Sequence, residues 1–158
     1  AMVSGDALVP GSAAIAEYLE DLDPQGPLMP KDPVARATAR SIAAEADSYL
    51  AATVGRLFDV TLYAKGSPSQ DDIEGAREAA LAEMAHLEKA LSGDFLAGEM
   101  SLADFTAFPH VRILQRVDDR MPGKGIARKQ LPARVAAWAA RIEALPYYSR
   151  TIPPHWQP

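Results

Sequence analysis

From Asp32 onward the apolar residues recur in steps of three and four, a period that only helices can turn into a single face. Ile42, Ala46, Tyr49, Leu50, Thr53, Val54, Leu57, Phe58 and Leu62 mark one such face over about six turns. Asp32 followed by Pro33 suits the start of this helix. The carboxylate caps free N–H groups, and proline at the first helical position loses no hydrogen bond. Gly66, Ser67 and Pro68 end it, and a second helix carries Ile73, Ala76, Ala80, Met84, Leu87 and Leu91 up to Gly93. The short connection predicts an antiparallel hairpin of two long helices.

A third helix opens with "GEMSLADF". Ser101 and Asp104 have the spacing of a capping box, with Asp in place of the longer Glu or Gln, and Met100 and Phe105 flank it as a hydrophobic staple. The residues that follow, from Leu102 to Leu114, are apolar on nearly every side, which places this helix at the centre of the bundle. Pro109 lies inside it and is expected to kink it. A fourth helix carries Leu131, Val135, Trp138, Ile142 and Leu145, and the tail "PYYSRTIPPHWQP" reads as a turn of helix and then an extended surface segment.

No strand pattern appears after the first dozen residues. The stretch "VPGSAAIAEYLEDLDP" reads as the end of a strand, a tight turn and a helix with Ile15, Tyr18, Leu19 and Leu22 on one face. The fold class expected is all-α, a helical bundle with a short N-terminal strand–helix unit.

Composition removes several classes of function. With no cysteine in 158 residues, disulfides, thiolate metal sites and a cysteine nucleophile are excluded from this chain. A net charge of −5 argues against nucleic acid as the main partner. No apolar run approaches the ~20 residues of a membrane span. His86, His110 and His155 are far apart with no second ligand at helical spacing, so no metal site is expected. His86 reads as a surface residue and His110 as a structural partner beside Pro109. Glu45, Asp47, Glu83 and Glu88 read as charges on helix surfaces. The eight basic residues from Arg112 to Arg141 face only Asp118 and Asp119 in that segment; a solvated helix face is favoured over an anion-binding surface. Ser12 stands at a helix start, where free N–H groups and its hydroxyl make either an anion site or a cap. Tyr49 and Thr53, one turn apart, suit core packing more than a pocket wall.

These pieces together resemble the glutathione transferase family. "GDALVPGSAAIAEYLEDLDP" is similar to the end of its thioredoxin-like domain, "GPLMPKDPVARATAR" to the inter-domain linker and first helix of its helical domain, "FLAGEMSLADF" to its capping-box segment, and "WAARIEALPYYSRT" to its last long helix. The resemblance covers the chain from Gly5 onward. It implies a remnant of a thioredoxin-like domain over residues 1–23, a linker over 24–32 and a helical C-terminal-like domain over 33–158.

The resemblance also implies glutathione as co-substrate, a small hydrophobic electrophile as second substrate, a cytoplasmic setting and a homodimer, or a chain supplying the thioredoxin-like portion. Ser12 matches the serine that holds the γ-glutamyl carboxylate, while Gly11 stands where an acidic residue normally assists. Tyr49, Thr53 and Phe108 are assigned to the hydrophobic pocket, and Ser101 and Asp104 to a structural capping box. The family activates the thiol of glutathione with a residue that should lie upstream, so no catalytic residue is assigned and the chain alone is expected to be inactive. Neither a membrane nor nucleic acid is implied. The alternatives are a non-catalytic helical module for protein association and one for small-molecule binding.

Overall fold

A computed structural model describes residues 1–23 and 28–156. Residues 24–27 of the expected linker and the last two residues of the expected tail lie outside that description.

The chain begins with a β-hairpin rather than a lone strand. β1 (Met2–Ser4) pairs antiparallel with β2 (Ala7–Val9) in the register Met2↔Val9, Val3↔Leu8 and Ser4↔Ala7. A two-residue loop leaves Gly5 at φ 57°, a left-handed backbone that glycine adopts without steric cost. Two three-residue strands carry too little period to be read from sequence, which is why only one was expected. α1 (Ser12–Leu22) follows and contains no buried residue. Its Tyr18 hydroxyl lies 2.6 Å from Ser4 Oγ, holding the hairpin against the helix.

The first long helix is real but not uniform. α2 (Pro33–Glu45) starts as its sequence dictates, with Asp32 Oδ2 accepting from the Ala35 N–H at 2.8 Å and Pro33 in the first turn. A π-helical segment, Ala46–Leu50, then interrupts the α ladder before α3 (Ala51–Asp59). Ala39, Ala46, Leu50, Val54 and Leu57 are buried, whereas Tyr49 is exposed. The π turn shifts the angular position of residues within it, so the period-3.6 extrapolation misplaces Tyr49. α4 (Gln70–Ala90) packs back against α3 and buries Ile73, Ala76, Ala80, Met84 and Leu87.

α5 (Leu102–Arg120) packs against α2, the π segment and α3, and runs continuously through Pro109. It buries eight residues, including Asp104 and Gln115, so the central helix carries polar groups inside. α6 (Ala133–Glu143) closes the bundle with Val135, Trp138, Ala139 and Ile142 inward. The loop between them depends on Gly125: a Cβ there would stand 2.2 Å from the backbone nitrogen of Asp118. That closeness lets the Ile126 N–H reach the Leu114 carbonyl at 3.1 Å and bury Ile126 against α5. The molecule is an all-α bundle with a two-stranded N-terminal appendage.

Candidate functional site

α1 lies across α2 and the first half of α5, and the three helices enclose a cleft of about 530 Å³. Small side chains line two sides of it, Ala13 and Ala16 from α1 and Ala43 and Ala44 from α2. One polar clamp fixes the pair: Arg40 donates to Glu17 through Nε at 2.8 Å and Nη2 at 3.0 Å. This hydrogen bonding to Arg40 holds the Glu17 carboxyl below its ordinary range, against a smaller opposing effect of burial. A second clamp lies at the far end of α1, where the Glu20 carboxylate accepts from the Leu28 and Met29 N–H groups at 2.7 and 3.1 Å.

α5 supplies the other wall with Leu102, Phe105, Thr106, Pro109 and His110, and the π segment adds Asp47. His110 Nε2 lies 4.0 Å from Asp47 Oδ1. Its Nδ1 is buried without a hydrogen-bond partner. Burial lowers the His110 pKa from its ordinary value, and the nearby Asp47 charge opposes that only in part. The imidazole therefore favours the neutral form, in which one ring nitrogen donates and the other accepts.

Ser12 is the first residue of α1 and also lines this cleft. The N-cap place falls to Gly11, at φ 86° and with no side chain to cap with. The Ser12 hydroxyl thus stands beside uncapped helix N–H groups at the mouth of the cleft.

The other expected pocket residues are not gathered there. Tyr49 lines a separate groove between the π segment and α4, with Glu45, Glu83 and His86. Thr53 Oγ1 donates to the Tyr49 carbonyl at 2.9 Å. Phe108 is buried, with edge-on ring contacts to Trp138 at 5.9 Å and Tyr148 at 5.8 Å. Ser101 and Asp104 sit at the head of α5, where Asp104 Oδ2 accepts from the Ser101 N–H at 2.8 Å.

Sequence reasoning passed over Arg40; Asp47 is exposed, as expected of a charge on a helix surface, but the sequence did not show that it lines the cleft. Arg40 gave no signal, because its partner is 23 residues away on another helix. Asp47 was hidden by the π turn. Arg112, Arg128, Arg134 and Arg141, four of the eight basic residues between 112 and 141, are engaged by acidic or carbonyl oxygens of the chain. Arg112 and Arg128 converge on Glu143, Arg141 pairs with Asp94 at 2.8 Å, and Arg134 donates to the Leu91 carbonyl at 2.5 Å. No cluster of potential metal ligands exists among the described residues. No helix among them is long and apolar enough to cross a membrane.

A helical bundle headed by a buried capping box, with a strand–helix unit laid across its first and third long helices, defines a protein of the glutathione transferase C-terminal type. The comparisons agree. Residues 70–141 match the family described as "Glutathione S-transferase, C-terminal domain". FtsZ-localized protein A of Caulobacter vibrioides is 27% identical over 150 residues, covering 90% of this chain and 63% of that protein. "Probable glutathione transferase omega-2" of Caenorhabditis briggsae is 25% identical over 141 residues, covering 85% and 53%. A solved glutathione transferase family member from Pseudomonas fluorescens Pf-5, holding S-(propanoic acid)-glutathione, is 25% identical with a TM-score of 0.72, covering 96% and 74%. The chain is thus similar to glutathione transferases, with the C-terminal domain matched over residues 70–141, and it spans between about half and two thirds of the curated relatives it matches.

Proposed function

We propose that this chain carries part of a glutathione transferase site, used in the complete protein for conjugation or related thiol transfer to a hydrophobic electrophile. The observation that carries this reading is the cleft that joins Ser12, at the uncapped start of α1, to the His110 wall of α5. In this reading the helix N–H groups and the Ser12 hydroxyl hold the γ-glutamyl carboxylate. The alanine-lined slot and α5 receive the second substrate. Gly11 contributes no carboxylate to the amino group of the ligand, so the seat for glutathione is weak. Thiol activation is assigned to residues outside these 158, as the resemblance to the family implies.

The domain plan that goes with it has residues 1–23 as part of a thioredoxin-like unit, 24–32 as linker and 33–158 as the helical domain. A cytoplasmic homodimer, or pairing with a chain that supplies the remaining thioredoxin-like portion, completes the proposal. The test is twofold. Calorimetry with glutathione should give weak binding that Ser12→Ala abolishes, and a conjugation assay with a chlorodinitrobenzene should give no turnover by the chain alone. Clear turnover overturns the assignment of activation elsewhere, and binding indifferent to Ser12 overturns the seat.

A second reading has one observation in its favour. Val3, Leu8, Leu19 and Leu22 of the N-terminal unit are all exposed. Four large apolar side chains on one small unit suit a surface that another polypeptide covers, so a non-catalytic association module is the alternative. Sedimentation of the purified chain beside the calorimetry separates the two: self-association lost on Leu8→Ser and Leu19→Ser, without any glutathione binding, favours the module.

A further inference from the structure

His110 and Asp47 come from different elements, and neither position is incidental. Asp47 belongs to the π segment, whose flanking residues Ala46 and Leu50 are buried while Asp47 is exposed. A π turn inside a helix is an irregularity that places side chains where the α ladder would not, and such turns are frequent at functional sites. Across the cleft, the His110 side chain is only 18% exposed, and its Nδ1 is enclosed with nothing to bond to. A proton on that nitrogen would be a buried unsatisfied donor. A proton on Nε2 instead faces the Asp47 carboxylate, so the charge assigns the Nε2–H tautomer.

The two groups are complementary but too far apart to bond directly, at 4.0 Å. One oxygen placed roughly 2.8 Å from each fits the gap, with an angle near 90° at that oxygen. It must accept from the imidazole and donate to the carboxylate. A hydroxyl does both; a carbonyl, ether or carboxylate oxygen cannot donate, and an ammonium cannot accept. The walls next to this pair include the apolar Ala43, Ala44, Phe105 and Pro109, while Thr106 donates to the Leu102 carbonyl and Arg40 is held by Glu17.

We propose that His110 and Asp47 form a two-point seat for the hydroxyl of an apolar ligand; a phenol, whose acidic hydroxyl donates to a carboxylate more strongly than an alcohol's, is the preferred occupant of this half of the cleft. The proposal rests on the reading of the cleft as the second-substrate site and narrows the substrate class to hydroxylated aromatics. A methyl group in the place of the hydroxyl would exclude water from the gap and offer neither a donor nor an acceptor to the pair.

The experiment uses two matched pairs of probes on the 158-residue chain. The first pair is S-(4-hydroxybenzyl)glutathione and S-(4-methylbenzyl)glutathione; the second is 4-ethylphenol and 4-ethyltoluene. The hydroxylated member should bind at least about tenfold tighter in each pair, as expected for hydrogen bonding to a charged group. It should also shift the His110 Hε1 resonance, which its methyl partner should not. Asp47→Asn and His110→Phe should each shrink the preference, read as the ratio of the two affinities within a pair, so that any change common to both members cancels. Asp47 is exposed, so that variant keeps the fold even if His110→Phe does not. Failure of both conjugates to bind while the free phenol keeps its preference sinks the glutathione seat and leaves the hydroxyl seat standing. Equal affinities within the free pair, no binding of either free compound, or a preference untouched by Asp47→Asn overturns the proposal.

Discussion

The indole N–H of Trp138 on α6 donates to Asp104 Oδ1 on α5 at 2.8 Å, and neither residue has any exposed surface. The same carboxyl accepts from the Leu96 N–H at 3.0 Å and the Ser101 N–H at 2.8 Å. One side chain therefore ties the loop before α5, the head of α5 and the middle of α6. Asp104→Ala leaves three buried donors without an acceptor and is expected to cost about 3–5 kcal/mol. Urea unfolding followed by circular dichroism measures it. A double-mutant cycle with Trp138→Phe should show coupling of about 1 kcal/mol or more, since both changes break the same bond. Additive losses would mean that the capping box works without the tryptophan.

Gly125→Ala is a second severe substitution, for a different reason. The new methyl would lie 2.2 Å from Asp118 N and 2.5 Å from Leu114 O, both of them backbone atoms that cannot turn aside. Either the loop lifts off α5 or the helix distorts. Lifting would break the Ile126-to-Leu114 hydrogen bond and the 3.0 Å bond from Arg77 Nε to the Gly125 carbonyl. A loss of about 2–4 kcal/mol is expected in the same urea experiment, as for overpacking combined with a broken buried contact. Gly66→Ala, where a Cβ meets nothing within 4 Å, is the control for backbone strain alone.

Much of the bundle was legible because it obeys period and punctuation. The buried faces of α4 and α6 are the residues the 3.6-residue pattern selects, and Asp32–Pro33 and Ser101–Asp104 announce two helix starts by local chemistry. What stayed hidden was non-local or irregular. The sequence shows Asp104 as half of a cap and cannot show that its other oxygen waits for Trp138, 34 residues away. A five-residue π segment carries no compositional mark, yet it turns Tyr49 outward and Asp47 to the cleft. Hence Ser12 and His110 were noticed singly, while the site that joins them depends on how α1 lies across α2.

That crossing is itself the weakest part of the fold. α1 buries no residue and is tied down by Glu17–Arg40 and by Glu20 bonding to the Leu28 and Met29 N–H groups. Exposed ion pairs contribute little to global stability, so Glu17→Gln should hardly move the urea midpoint. It should instead raise amide exchange across Ser12–Leu22 selectively, because local opening needs only the contacts of that helix. Exchange in α5 should stay unchanged. Uniform loss of protection through the whole chain would show that α1 and the bundle unfold as one unit.

Acid should weaken the fold through His110 in a window of its own. Burial places the folded-state pKa of His110 below the ordinary value of 6.5, with Asp47 opposing in part. In the window between the two values the unfolded chain binds a proton that the folded chain does not, so stability rises with pH there. The His110 contribution is complete above about pH 6.5 and is lost as pH falls toward the folded-state pKa. Below that pKa both states are protonated and the dependence on His110 ends. Glu17 acts at more acid pH: its depressed carboxyl contributes stability above its ordinary value of 4.5, lost as pH falls through the folded-state pKa. Urea midpoints of wild type and His110→Gln, compared from pH 7.5 to 5, should therefore draw together on acidification. A gap that stays constant or widens would mean that His110 gains its proton in the fold as readily as in the unfolded chain. Asp47→Asn removes the opposing charge, so it should lower the His110 pKa further and extend the window to more acid pH, a displacement of the folded-state pKa that titration of the His110 Hε1 resonance reads directly.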